Sequence, residues 1–164
     1  MFNELEFWKL CFLIDYFVKI RELIRKSMSK PVEIDSSIRT VEWKDNKVIM
    51  IEQTKLPNEL IFVEYDDFNQ VANAIKTLIV RGAPAIGVSG AFGLGLAVLQ
   101  SKATTKDDLL SDLEDARKIL FATRPTAVNL GWGLDKIMSI AKTGETVEQI
   151  RELVISTAKK MADE

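Results

Sequence analysis

Arg81-Gly82-Ala83-Pro84-Ala85-Ile86-Gly87-Val88 opens a run, residues 83–100, in which only Ser89 and Gln100 carry polar side chains. A helix apolar nearly all round has no face for water, so it belongs in the core and the rest of the chain must be arranged about it. Proline suits the first helical turn, where its missing N–H loses no partner, so the helix is expected to start at Ala83 or Pro84 and to run to about Gln100. Gly87, Gly90, Gly93 and Gly95 lie inside it. Each costs about 1 kcal/mol relative to alanine in a helix, and close packing of a neighbouring element is the usual compensation.

Working outward from this run, the sequence reads as helical from Tyr65 to its end. Asp66 or Asp67 caps a helix with Phe68, Val71, Ile75, Leu78 and Ile79 on one face. Thr104 or Thr105 caps another, with the stripe Leu109, Leu113, Ala116, Leu120 and Phe121. A further helix is expected from about Thr126 to Ala141, stopping at Thr143-Gly144 where glycine takes the left-handed conformation. The last, Glu145 to Met161, aligns Ile150, Leu153, Val154, Thr157 and Met161. It has no stop signal, and a longer protein is expected to continue beyond Glu164.

Before Tyr65 the apolar period changes to two. Ile38, Val41 and Trp43, the Asp45-Asn46 bend, then Val48, Met50 and Ile51 read as a hairpin, and Ile61 to Tyr65 gives a third strand after the break at Leu56-Pro57-Asn58. Strands so few and short need helices to cover one face. The expected fold is α+β, with a small antiparallel sheet of about three or four strands on a cluster of about five helices.

Residues 1–27 have a different character, with twelve apolar residues between Leu5 and Ile20 broken by Glu6, Lys9, Asp15 and Lys19. Those charges and the short length argue against a membrane span, which needs roughly 20 mostly uncharged residues. The acidic start and the lack of a small-residue cleavage site argue against a signal peptide. A leader outside any domain core, a helix packed on its own domain or a partner, and an interfacial amphipathic helix all stay open. Met28-Ser29-Lys30 looks like a natural start, which puts the domain at 28–164.

At 164 residues the chain is about one domain, and its net charge of −2 gives no basis for expecting nucleic acid as a partner. The single cysteine, Cys11, forms no internal disulfide, and a reducing, cytoplasmic setting is expected. With one cysteine and no histidine there is no zinc-ligand spacing and no His-based nucleophile arrangement. Proton transfer would have to use a carboxylate, Lys, Tyr, Cys or the substrate itself.

Two corners carry the chemistry. In Arg81-Gly82-Ala83-Pro84 the open amides of a helix start lie beside a planar, permanently charged guanidinium, a combination suited to phosphate or carboxylate oxygens. Gly82 and Gly87 have the spacing of a nucleotide phosphate loop, but Val88-Ser89 stands where its Lys-Ser/Thr is required. The plainer alternative is that Arg81 caps carbonyls of the preceding helix while Pro84 merely begins a core helix. Arg124-Pro125-Thr126-Ala127-Val128-Asn129-Leu130 repeats the corner.

These segments, with Ile38-Arg39-Thr40-Val41-Glu42-Trp43 and the step Gln53-x-x-Leu56-Pro57, resemble the amino-terminal domain of methylthioribose-1-phosphate isomerase from about Ser29 to Glu164. Ribose-1,5-bisphosphate isomerases and the regulatory subunits of the translation-initiation exchange factor share that architecture and match less closely. The resemblance implies a cytosolic, usually dimeric enzyme of methionine salvage that interconverts 5-methylthioribose 1-phosphate and 5-methylthioribulose 1-phosphate without metal or nucleotide cofactor. By motif, Arg81, Gly82, Ala83 and Arg124 would bind the phosphorylated methylthio-sugar. The family's cysteine and aspartate segments, in its Rossmann-like carboxy-terminal domain, have no match in this sequence, and Cys11 is not that cysteine. No catalytic residue is therefore assigned. The resemblance implies a substrate-binding part inactive alone, and the competing expectation is a non-catalytic regulatory or assembly subunit.

Overall fold

The computed structural model describes residues 38–164, all within the compact unit Ile34–Glu164. The leader expected at 1–27 lies outside the described residues. The elements run β1 (Val41–Lys44), β2 (Lys47–Ile51), β3 (Phe62–Tyr65), α1 (Phe68–Lys76), α2 (Ala83–Gln100), α3 (Lys106–Thr123), α4 (Val128–Ala141) and α5 (Val147–Asp163).

Helix α2 is the axle of this arrangement, touching each of the other four helices and the first two strands. By length and composition it could cross a membrane, yet 67% of it is buried inside the fold. Its glycines receive neighbours from several directions. A Cβ at Gly90 would lie 2.6 Å from Leu130, one at Gly93 2.9 Å from Leu120, and one at Gly95 2.9 Å from the Trp43 ring. Trp43 also meets Phe92 with ring centroids 5.5 Å apart, which seats the sheet on the helix.

The tightest approach joins α2 to α4. A Cβ at Gly87 would stand 2.9 Å from the Asn129 carbonyl oxygen, and one at Gly133 only 2.6 Å from the Gly87 carbonyl oxygen. Main chain cannot yield as a flexible side chain does. Gly133→Ala is therefore expected to destabilise the fold by about 1–3 kcal/mol, the usual penalty of overpacking. At about 2–4 °C per kcal/mol the loss is visible in a thermal melt, and an unchanged melting temperature would contradict the backbone contact.

The sheet has order β1-β2-β3, antiparallel throughout, with Val41 opposite Met50 and Val48 opposite Tyr65. Asp45 and Asn46 both have positive φ, 51° and 59°, as the tight two-residue hairpin loop requires. Three strands and five helices in the described residues agree with the α+β reading.

Local details depart from the sequence reading in instructive ways. Helix α1 stops at Lys76, so Leu78 and Ile79 are not on its apolar face. The Leu78 N–H donates to the Ile75 carbonyl at 3.4 Å and the Ile79 N–H to the Ala74 carbonyl at 3.0 Å, closing the helix with Leu78 at φ 64°. This paired closure normally places glycine at the left-handed residue. A non-glycine residue there carries strain of about 1–3 kcal/mol. The turn sends Val80 into the core instead.

Helix α4 begins at Val128 rather than Thr126 because a turn precedes it: the Ala127 N–H donates to the Arg124 carbonyl at 3.0 Å. Pro125 occupies the second position of that turn, where its fixed φ fits. Gly144 does not take the left-handed conformation, since among the described residues Gly82 is the one glycine with positive φ. It is glycine because a Cβ there would lie 2.6 Å from Ile150. Phe121, assigned to the buried stripe, is 36% exposed in the last turn of α3.

Candidate functional site

Three of the five described helices start under a side-chain cap. Asp67 accepts from the Asn69 N–H and forms a reciprocal box with Gln70, Thr105 accepts from Asp108, and Thr146 accepts from Gln149. Such a cap contributes about 1 kcal/mol. Helices α2 and α4 have none, because Gly82 and Ala127 hold their cap positions. Both uncapped starts open onto the same hollow, of about 540 Å³. A helix start without a cap presents unpaired amides and the positive end of the helix dipole, both of which favour an anion.

All four residues singled out in the sequence, Arg81, Gly82, Ala83 and Arg124, line this hollow. Gly82 has φ 98° and ψ 133°, and a Cβ on it would meet nothing within 4 Å. Glycine is needed for the backbone conformation, and the space where a Cβ would lie is open.

Arg81 does not cap α1. Its Nη2 donates to the Gln53 carbonyl at 2.7 Å, in the segment that follows β2. The Gln53 side-chain amide returns the contact, accepting from the Arg81 N–H at 3.2 Å and donating to the Arg81 carbonyl at 3.3 Å. The main chain before α2 is thus held from both sides by one glutamine. The sequence showed Gln53 as part of a motif and gave no sign of this task.

Arg124 stands differently. It is half-buried at the end of α3, and its guanidinium has no hydrogen-bond or ion-pair partner among the described residues. The other arginines described are occupied: Arg39 by Asp163 at 2.6 Å, Arg117 by Asp135 at 2.6 Å and by Glu114, and Arg151 by the carbonyls of Val98 and Ser101. An unmatched, partly desolvated cation beside two uncapped helix starts makes the hollow electropositive.

The remaining lining is Leu78, Ile86, Ala127, Val128 and Asn129. Leu78 is 43% and Val128 81% exposed, a large apolar surface left open beside charged groups. Neither was singled out in the sequence. Among the described residues, no carboxylate, thiol, phenol or amine lines the hollow. It can grip an anion and has no group suited to moving protons near neutral pH.

Residues 79–164, just over half of the chain, match the model of the initiation factor 2 subunit family. The chain belongs to that family. The span that matches contains both arginine corners of this initiation factor 2 subunit family member. Methylthioribose-1-phosphate isomerase of Geobacter metallireducens is 42% identical over 130 residues, which are 78% of this chain and 38% of the relative. Among solved structures, 5-methylthioribose 1-phosphate isomerase from Pyrococcus horikoshii OT3 superposes with a TM-score of 0.75 at 42% identity, over 83% of this chain and 39% of the other. Translation initiation factor eIF-2B, subunit delta, from A. fulgidus does so with a TM-score of 0.73 at 41% identity, over 77% and 37%. This chain therefore spans a little over a third of the length of the family members it matches.

Proposed function

We propose that this chain is the sugar-phosphate-binding part of a methylthioribose-1-phosphate isomerase. The observation that carries the reading is the convergence on one hollow of two uncapped helix starts and Arg124, which has no partner among the described residues. A phosphate ester has the charge and the acceptor oxygens to occupy that position, and the similarity to proteins of that name supplies the sugar. Arg81, Gly82, Ala83 and Arg124 hold the ester in both the aldose and the ketose form. Such holding is nearly uniform between ground and transition states, so it sets affinity without accelerating the interconversion. The acid and base that open the ring and carry hydrogen between the first two carbons come from residues other than those lining the hollow.

Calorimetric titration of the chain with 5-methylthioribose 1-phosphate tests the reading. Saturable binding, displaced by inorganic phosphate, is expected. Ala127→Asp puts a carboxylate at the bare start of α4, where a cap stabilises the helix by about 1 kcal/mol. The variant should melt no lower than the parent while losing the ligand. No saturable binding by the parent, or binding indifferent to Ala127→Asp, would overturn the proposal.

The A. fulgidus structure favours a second reading, a non-catalytic regulatory or assembly subunit, because its superposition is nearly as close. That reading calls for no affinity for the sugar ester, so the same titration separates the two.

A further inference from the structure

Leu78 is a residue that neither its backbone nor the core explains. It occupies the left-handed position of the α1 closure, φ 64°, where glycine gives the lowest strain. The residue stays 43% exposed, so the core covers only part of it. Yet it lines the hollow that Arg81 and Arg124 share, together with Ile86 and the almost fully exposed Val128. A strained position occupied by a large, exposed apolar side chain beside an anion hollow has the character of a ligand contact.

Resting on the function proposed above, we infer that Leu78 is a specificity-determining residue: its side chain packs against an apolar substituent on the sugar while the arginines take the phosphate. The hollow offers two kinds of surface, cationic with open amides and aliphatic. A sugar phosphate bearing a methylthio group presents both chemistries. One bearing only hydroxyls would leave the aliphatic surface uncovered and bury a hydroxyl there without a partner.

The test compares 5-methylthioribose 1-phosphate with ribose 1-phosphate, titrated into the 164-residue chain and into Leu78→Gly and Leu78→Met. The parent is expected to prefer the methylthio compound about ten-fold, the low end of what one apolar group provides in an apolar pocket. Leu78→Gly should bring that ratio to about one and raise the melting temperature by relieving the backbone. Leu78→Met should restore the ratio. A purely structural role for Leu78 would move the melt and not the ratio. Equal binding of the two sugars by the parent, or a ratio that survives Leu78→Gly, overturns the inference and leaves the binding site standing. Failure of both sugars to bind overturns the site and the inference together.

Discussion

The 164-residue chain, purified free of host isomerase, is expected to convert no 5-methylthioribose 1-phosphate to its ketose. The interconversion needs an acid and a base placed at adjacent carbons in a site shielded from water, and a positioned proton-transfer group typically contributes about 10²–10⁴-fold in rate. The hollow supplies guanidinium groups, main-chain amides and aliphatic carbon. Guanidinium does not release its proton under these conditions. Phosphorus NMR of the substrate over hours in the presence of the chain would show the ketose as a separate resonance. Its appearance at a rate proportional to chain concentration would refute the division between gripping and chemistry. Addition of the part of a full-length relative that this chain does not match should give turnover only if the arginine hollow is intact.

Arg124→Ala is expected to lower the affinity for the sugar phosphate by about 10–100-fold, the equivalent of losing a hydrogen bond to a charged group worth about 1.5–3 kcal/mol. The melting temperature should scarcely change, because among the described residues the side chain holds no other part of the fold. Arg81→Ala makes the instructive contrast. That substitution also removes the bond from Nη2 to the Gln53 carbonyl, so both affinity and stability should fall. Calorimetry and thermal melts on the two variants separate a residue that only binds from one that also braces. If Arg124→Ala binds as the parent does, the second corner has no part in the site.

The central helix was legible because its composition leaves no alternative: residues 83–100 cannot face water, and the stripes of α3 and α5 then have something to cover. The corner at Arg81 was legible as a helix start for the same reason that proline prefers that place. What escaped was geometry set by partners distant in sequence. Gln53 reaches across to the Arg81 main chain through bonds that no local pattern announces. Pro125 looked like a second helix start and instead turns the chain, since the Ala127 N–H is taken by the Arg124 carbonyl. Leu78 looked like one more apolar position on α1, because the apolar period does not report that the helix has already closed. Of the two uncapped starts the sequence reading located only the one after Gly82, since the other helix was expected from Thr126, and the meaning of both depended on the helices opening in one place.

The contact between Gly87 and Gly133 reaches beyond packing. Main chain rests on main chain between about one and one and a half turns from the open ends, so the two mouths cannot slide or splay independently. They form a jaw of fixed gauge. On the function proposed above, a ligand would be measured against a spacing set when the chain folds, which spares the entropy of assembling the grip around it and leaves little tolerance for an anion of another size.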